Sequence, residues 1–588
     1  MNPNKFDWAI VCLSIVICFI PALFYLRKGS ANTTEFFGAG RAAPWWLIGV
    51  SMVATTFSTD TPNLVTNFVR TGGVSKNWLW WAFLLTGMAT VFFFAKLWRR
   101  SGVLTDLEFY EIRYSGRAAQ WVRGFRSIYL GLVFNCFIMA TVNLAAAKIA
   151  NIVLGWPMWQ TLLICAFLNV GFATIAGLWG VLVIDFIQFG VAMTGAFAVA
   201  YFALKQPAVG GLHGLVAQLP ARTLNLLPDF NDWQMTLTLF IIPLTVQWWS
   251  VWYPGAEPGG GSYIAQRMLA ARSEADALGG TLLFNVAHYA LRSWPWLVVA
   301  LASIIVFPTL GSIHSAFPNV EPRLIGDDMA YPAMLKFLPH GFLGLMIGAM
   351  EAAYRSTIMT HLNWGSSYLV HDFWRRFVRP DASERHYVMM GRLCTAMLMV
   401  LAALLAYELD TAQQAFGLIL SIGAGTGLIY LLRWFWWRIN AWCEIAAMTA
   451  SFVVAIGFFI AGKHGTPVPE YVALLWTIAA TTVAWVVTAF MTPATDRATL
   501  LAFYRKVRPA GPGWRAIRAE AGLGPSPDSL PQAFLAWICG IFTVYGALFG
   551  TGSLLYGRIG IGLFWVAVGA AGALGLVRIV PRMWSKPA

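Results

Sequence analysis

The chain has 588 residues, of which 58% are hydrophobic and only 11% are charged. Soluble domains carry about a quarter charged residues, so this composition excludes a soluble globular protein and predicts an all-α polytopic membrane protein. The net charge of +14 is typical of proteins that bind nucleic acid, but in a membrane protein the basic residues must first be sorted by side of the membrane.

Apolar segments long enough to cross a bilayer recur along the chain. We count about 15 transmembrane helices, near residues 6–26, 43–69, 77–97, 124–153, 157–178, 182–204, 235–253, 278–307, 330–370, 389–407, 413–432, 440–461, 470–491, 533–550 and 559–577. With the N-terminus outside, 27 Lys and Arg fall in inner loops and nine in outer loops. This asymmetry predicts an N-out, C-in, multi-pass protein of the plasma (cytoplasmic or inner) membrane. The lipid bilayer then accounts for the positive charge, and we expect no nucleic-acid partner.

Two of these segments contain breaks that a continuous membrane helix would not tolerate. One, at 54–62, crowds polar residues before Pro62, and the other, at 253–261, holds two prolines, Glu257 and three consecutive glycines. Backbone in hydrocarbon must satisfy its own hydrogen bonds, so such breaks persist where they line a cavity or bind something. The breaks lie five spans apart, which is typical of the binding site of a secondary transporter. The glycines would let unwound backbone face a ligand directly.

The polar residues of these breaks are candidate solute ligands. They are Thr56, Thr59, Asp60, Thr61 and Glu257.

The ninth span carries a stripe of hydroxyl and amide side chains. Ser356, Thr360, Asn363 and Ser367 recur on one helical face, and Thr357 flanks them. Such a stripe either joins helices by hydrogen bonds or coordinates a hard cation such as sodium. The spacing leaves both interpretations open.

Besides Asp60, four charged residues within spans are candidates for functional or structural roles. Asp185 is either a functional acid or a helix N-cap. Glu351 and Arg355, at i and i+4, are predicted to form a structural ion pair. Arg292 could hold a substrate carboxylate as a possible anion contact, or its charge could snorkel to the interface.

Catalytic motifs are missing from the sequence. It has no GxSxG, Walker A or HExxH pattern, so we expect no enzyme activity and no cofactor. The seven cysteines lie in apolar segments and are interpreted as small core residues.

Four ordered motifs resemble those of the sodium:solute symporter family. They are EFFGAGR with PWW at 35–46, GLWG with DFIQ at 177–188, YIAQRMLAAR at 263–272, read as a loop, and AAYRST with LN and Asp372 at 352–372. The resemblance implies a LeuT-type fold with inverted five-helix repeats at 43–205 and 206–437. An extra N-terminal span and loop (1–42) would precede them. Extra C-terminal spans with a basic inner loop near 492–531 would follow (438–588).

The resemblance also implies a sodium site. By position, Ala54, Phe57 and Ala353 would supply backbone carbonyls, and Ser356 and Thr357 would supply hydroxyls. Asp185 matches an acid near the sodium exit path. Some relatives hold a second sodium with further hydroxyls; here Met359 replaces one of these and Thr360 matches the other. By position, Thr61 and Asn77 stand where one member has sugar ligands, so the resemblance adds Asn77 to the candidate solute ligands, although neither residue matches in type.

These observations predict a sodium-coupled symporter for a small polar organic solute. The hydroxyl- and amide-rich site and the many aromatic faces favour a sugar or polyol. Arg292 favours the alternative of a carboxylate or amino acid. A transporter-like membrane sensor without transport is the alternative from another class. The expected partners are the solute, sodium ions and the lipid bilayer.

Overall fold

The computed structural model describes residues 3–29, 32–252, 256–320, 325–409, 423, 425–466 and 468–583, and these are mostly helical. The first helix, α1 (Lys5–Gly29), covers the first predicted span, and a short helix, α2 (Thr33–Gly38), follows it. The predicted span at 413–432 lies largely outside the described residues, as do residues 253–255 of the second predicted break.

The second predicted span is a broken helix. It consists of α3 (Trp45–Thr55) and α4 (Asp60–Gly72), and residues 56–59 between them are not helical. The polar cluster that marked the break in the sequence therefore coincides with it.

Three long helical stretches follow. They are α5 (Val74–Ser101), α6 (Gly116–Leu154) and α7 (Met158–Leu204). The last contains the spans predicted at 157–178 and 182–204, which meet at Gly177, where the backbone is not helical (φ 57°, ψ −158°). A Cβ atom at Gly177 would lie 2.8 Å from the carbonyl oxygen of Phe36, so only glycine lets α7 pass α2 this closely.

The seventh predicted span is also broken. A helical segment at 233–250, which we call α8, ends before β1 (Ala256–Glu257), and the chain becomes helical again in α9 (Ser262–Ala270). The YIAQRMLA motif at 263–270, interpreted from sequence as a loop, is therefore the buried second half of a broken helix. Nine residues are too few to give a membrane-length apolar pattern. The next span, α10 (Glu274–Val306), follows directly.

The remaining numbered helices are α11 (Phe342–Ser367), α12 (Glu384–Ala406), α13 (Gly427–Leu432), α14 (Ala441–Lys463), α15 (Glu470–Met491), α16 (Arg497–Val507), α17 (Leu530–Leu555) and α18 (Ile559–Ile579). A π-helical turn (Tyr368–Val378) extends α11. Shorter helices in the connections are Phe109–Arg113, Gly211–Gln218, Ala221–Leu224, Leu310–Ala316, Ala330–Met334 and Arg515–Glu520. Within the described residues, nine helices are long and apolar enough to cross a membrane.

The connections gather at two opposite ends of the helices. One end, which we call the basic face, is formed by connections that contact one another: residues 32–44, 99–116, 371–384, 433–440 and 492–529. For example, the main-chain N–H of Thr33 donates to Glu384 at 3.0 Å. At the other end, the N–H of Gly341 donates to Asp7 at 2.6 Å, and Arg70 pairs with Asp327 at 2.8 Å.

The polar segment at 492–531 is packed on the basic face and is not a free loop. Asp528 pairs with Lys96 at 3.1 Å and with Arg100 at 2.9 Å, both at the end of α5. Trp514 is buried and donates to the carbonyl of Trp434 at 2.8 Å. The segment therefore links the end of α5 to the chain after α13.

Candidate functional site

Asp185 is a buried centre of polar contacts between α3, α7 and α11. Ser356 Oγ donates to its carboxylate at 2.7 Å, and the hydroxyl of Ser51 donates to the other oxygen. Asp185 lies eight residues beyond Gly177 inside α7, so the N-cap interpretation is wrong. A buried carboxylate needs compensating charge and hydrogen bonds.

Arg267 on α9 supplies that charge. Its Nη2 lies 3.7 Å from the Asp185 carboxylate and donates to Thr360 Oγ1 at 2.6 Å, while its Nε donates to Ser51 Oγ at 3.2 Å. Both charged side chains are at most 1% exposed. Arg267 was not predicted as a site residue, because its motif was interpreted as part of an inner loop.

The polar stripe of α11 faces the two broken helices. Thr360 Oγ1 lies 2.9 Å from Thr55 Oγ1, and Asn363 Oδ1 accepts a hydrogen bond from Gln266 Nε2 at 2.9 Å. Ser367 instead bonds to a carbonyl of its own helix. Interhelical hydrogen bonding is therefore present, and the same oxygens lie between the first break and α9.

Thr357 joins the predicted sodium ligands of α11 to the break after α3. Its hydroxyl donates to the carbonyl of Thr55 at 2.8 Å and approaches that of Ala353 at 3.2 Å. The carbonyl of Ala54 accepts the N–H of Phe57 at 3.0 Å. Hydroxyl and carbonyl oxygens are the ligands that a hard cation prefers, and several of them are close together here.

The other side of the first break faces α10. Thr56 Oγ1 lies 2.9 Å from His288 Nδ1 and accepts a hydrogen bond from Arg292 Nη1 at 3.2 Å. The Arg292 guanidinium is buried, 5.1 Å from the ring centre of Trp296. The snorkelling interpretation of Arg292 is therefore wrong. Sequence analysis missed His288, for which the i, i+4 spacing to Arg292 was the available signal.

A buried polar face of α4 extends this cluster. Thr59, Asn63 and Thr66 follow at helical spacing, and their side-chain oxygens are buried without a hydrogen-bond partner among the described residues. The same holds for Oδ1 of Asp60, whose carboxylate is attracted by the charge of Arg292. Leaving buried polar atoms unsatisfied costs about 1–3 kcal/mol each, so this face is suited to a polar ligand.

Two further candidate solute ligands, Thr61 and Asn77, form hydrogen bonds with residues close to them in the chain. Thr61 Oγ1 lies 3.5 Å from the carbonyl of Thr56. The amide of Asn77 donates to a carbonyl three residues earlier at 2.9 Å and accepts from Trp80 Nε1 at 2.8 Å. The Trp80 ring packs 5.8 Å from that of His288, so Asn77 lies behind the cluster and supports it through Trp80.

Glu257 faces a different cavity. It forms an ion pair with Arg126 of α6. The second break borders this cavity of about 950 Å³, whose lining includes Val251, Trp252, Ala256, Pro258, Thr426 and Tyr430. The second break thus contributes Ala256, Glu257 and Pro258 to the lining of this cavity.

The glycines of the second break do not face that cavity. The carbonyl of Gly259 accepts a hydrogen bond from Trp98 Nε1 at 2.7 Å. A Cβ atom at Gly260 would lie 2.5 Å from Met268 and 2.8 Å from Thr90. Positive φ angles of 82° and 89° at Gly259 and Gly260 fold them against α5, so the expectation that they face a ligand is wrong.

Glu351 and Arg355 contact each other within α11. Arg355 Nε donates to Glu351 Oε1 at 2.8 Å. The Arg355 side chain is buried, whereas that of Glu351 is 19% exposed.

Comparison with known proteins supports these observations. The model of the sodium:solute symporter family matches residues 36–453, more than half of the chain. The sodium/glucose cotransporter of Vibrio parahaemolyticus is 26% identical over 73% of this chain and 80% of its own length. The sodium/mannose cotransporter of Bos taurus is 26% identical over 67% of each chain.

Among solved structures, a Na⁺-coupled sialic acid symporter superposes with a TM-score of 0.66 at 17% identity. The match covers 84% of this chain and 99% of that one, and it shows a shared LeuT-like fold. From its motifs, its two broken helices and the extent of the family match, the chain belongs to the sodium:solute symporter family, whose coupling ion is Na⁺.

Proposed function

We propose that this protein is a secondary active symporter that uses inward sodium movement to take up a small polar organic solute, with a sugar or polyol as the first solute class. The observation that carries the proposal is the contact of Thr357 with the carbonyl of Thr55. It joins Thr357, one of the hydroxyls that the resemblance assigns to sodium, to the end of a broken helix, one residue beyond Ala54.

The proposed cation site uses five residues. Ser356 and Thr357 give hydroxyl oxygens, and Ala54, Phe57 and Ala353 give carbonyl oxygens. The Ser356 hydroxyl donates to Asp185, which leaves the lone pairs of its oxygen free to face a cation. Asp185 is then the acid beside the sodium path, where it is paired with Arg267.

The proposed solute site lies beside the cation site. Thr56, His288 and the buried oxygens of α4 form a hydrogen-bonding surface next to the aromatic ring of Trp296. Sugars and polyols are bound by such pairs of polar groups and flat apolar faces. Two sugar cotransporters among the relatives agree with this class.

One observation favours the second candidate, a carboxylate or amino acid. The guanidinium of Arg292 reaches Thr56 at the first break. A guanidinium in that position can hold a carboxylate with two parallel hydrogen bonds.

The proposed architecture places the site between two inverted five-helix repeats, residues 43–205 and 206–437. We propose 15 spans with the N-terminus outside and the C-terminus inside the plasma membrane, so that the basic face is cytoplasmic. Sodium bound at the contact between α3 and α11 would hold these helices together. Release on the cytoplasmic side would let one helix set rock against the other.

The test is uptake into proteoliposomes. Radiolabelled hexoses, polyols, monocarboxylates and amino acids are supplied outside, with an inward sodium gradient or an equal potassium gradient. We expect accumulation of one class with sodium only, and loss of accumulation when a sodium ionophore collapses the gradient.

Two results would contradict the proposal. Solute binding without gradient-driven accumulation would indicate a sensor. Equal accumulation in potassium would exclude sodium coupling.

A further inference from the structure

A small polar cavity on the basic face has no place in the proposed transport cycle. It has a volume of about 430 Å³ and lies between residues 32–41, 104–108 and 371–384. Its charged lining residues are Arg41, Glu108, His371, Arg375 and Glu384, and the hydroxyl-bearing Thr33 and Thr34 complete one wall. Three separate connections of the chain meet there.

Arg41 is held in the cavity wall by an unusual backbone. Ala39, Gly40 and Arg41 have consecutive positive φ angles of 47°, 59° and 55°. Two of these three residues are not glycine, and such a backbone is sterically costly for residues with a Cβ atom, which makes it typical of functional sites. The Nε atom of Arg41 is buried and has no hydrogen-bond partner among the described residues.

The carboxylates of the cavity are already neutralised by other cations. Glu384 pairs with Arg375 at 2.9 Å. Glu108 forms a hydrogen bond with His371 Nε2 and lies 3.8 Å from Arg123. Although burial alone would raise the pKa of Glu108, these contacts lower it to about 2, so its negative charge is committed to them.

Arg41 is the surplus cation of this group. No carboxylate of the described residues lies within ion-pair distance of it. Lys506 adds further positive charge, since its Nζ and Arg41 Nη1 lie 3.6 Å and 3.8 Å from the position that a Cβ atom of Gly102 would take. Two neighbouring positive charges attract an anion.

We propose that this cavity binds a phosphoryl group, which Arg41 grips through its guanidinium. The Nδ1 atom of His371, another residue of the cavity lining, is also buried without a partner in the described part of the chain. A free phosphate or phosphorylated metabolite and the headgroup of an anionic phospholipid share this chemistry. Because the ligand would bridge three connections of the basic face, binding stabilises their present arrangement.

The test uses the purified full-length protein and needs no transport assay. Thermal unfolding is followed in neutral detergent with increasing potassium phosphate against potassium chloride of equal ionic strength, which keeps sodium absent. A parallel series uses nanodiscs of phosphatidylcholine with and without phosphatidylglycerol. We expect one of these anions to raise the melting temperature of the unmodified chain in a saturable manner.

Three variants make the test specific. Arg41→Gln is expected to weaken the apparent affinity at least about tenfold, since a charge-assisted contact contributes about 1.5–3 kcal/mol. Arg41→Lys keeps the charge without the Nε donor, and its apparent affinity is expected to lie between those of the unmodified chain and Arg41→Gln. It replaces Arg41→Gln in the test if that variant does not fold. Arg515→Gln removes an exposed charge elsewhere on the basic face and is expected to leave the response unchanged.

The two sources give different results. A response to phosphate in detergent indicates a soluble ligand, and a response to phosphatidylglycerol alone indicates a lipid headgroup. No saturable response to either, or an equal loss in Arg515→Gln and Arg41→Gln, would overturn the proposal.

Discussion

The hydroxyl of Thr357 donates a hydrogen bond to the main-chain carbonyl of Thr55, 2.8 Å away. Thr55 is the last residue of α3, and the final carbonyls of a helix lack an intrahelical partner. The contact therefore gives the Thr55 carbonyl, which the helix break deprives of an intrahelical hydrogen bond, a donor from the unbroken helix α11. The contact holds the Thr357 oxygen at the end of α3, one residue beyond Ala54, whose carbonyl belongs to the proposed cation site.

Removing the hydroxyls of Ser356 and Thr357 together is expected to weaken sodium activation. Losing two of about five oxygen ligands should raise the half-saturating sodium concentration at least about tenfold, since contacts to a charge contribute about 1.5–3 kcal/mol each. Sodium titration of solute uptake by the double alanine variant measures this. Ser367→Ala is the matched control, because that hydroxyl bonds only to a carbonyl of its own helix. An unchanged sodium curve in the double variant would refute the assignment.

Asp185 and Arg267 are expected to depend on each other for stability. Either Asp185→Asn or Arg267→Gln leaves one buried charge without its partner, which costs about 3–5 kcal/mol, whereas the double variant removes both. The melting temperature should fall further in each single variant than in the double one. Additive losses would show that the two charges do not interact.

Glu351 and Arg355 are expected to show the same pattern more weakly. Glu351 is 19% exposed, so solvent partly compensates its charge when Arg355 is replaced. We expect Arg355→Gln to lower the melting temperature less than Arg267→Gln, and also less than Glu351→Gln, which takes the Glu351 carboxylate away from the buried guanidinium of Arg355. Thermal unfolding of the two single variants and the double variant checks this order. Equal losses for the two single variants would contradict it.

Arg292 is expected to act on the solute and not on sodium. Arg292→Gln should raise the half-saturating solute concentration at least about tenfold, since a hydrogen bond from a charged donor contributes about 1.5–3 kcal/mol, while the sodium curve stays unchanged. Competition by glucose, mannitol and acetate before and after substitution shows which class depends on Arg292. Arg222→Gln, at an exposed position, is the control. A shifted sodium curve with unchanged solute affinity would contradict this role.

The helix breaks could be predicted from sequence because their cause is local. Proline, glycine and clustered hydroxyls interrupt apolar runs wherever they occur, and the structure breaks both helices there. The polar stripe of α11 was visible for the same reason, since helical periodicity alone puts Ser356, Thr360 and Asn363 on one face.

The partners of these groups could not be predicted in the same way. Arg267 lies on a helix too short for an apolar pattern, and its approach to Asp185 joins positions 82 residues apart in the chain. Glu257 belonged to a recognised break, but its pairing with Arg126 depends on how α6 packs against that break. Likewise, the left-handed backbone that turns Gly259 and Gly260 against α5 left no signal beyond the glycines themselves.

The most direct test of the sodium site needs no knowledge of the solute. A ligand that binds only the folded state stabilises it by about 2.7 kcal/mol at 100 times its dissociation constant. The melting temperature of the purified protein is measured in rising sodium chloride, with choline chloride keeping the ionic strength constant. The account predicts a saturable rise with sodium in the unmodified chain and in Ser367→Ala, and little or no rise when Ser356 and Thr357 are both alanine. An equal rise in all three proteins, or none in the unmodified chain, would contradict a sodium site at the contact between Thr357 and Thr55.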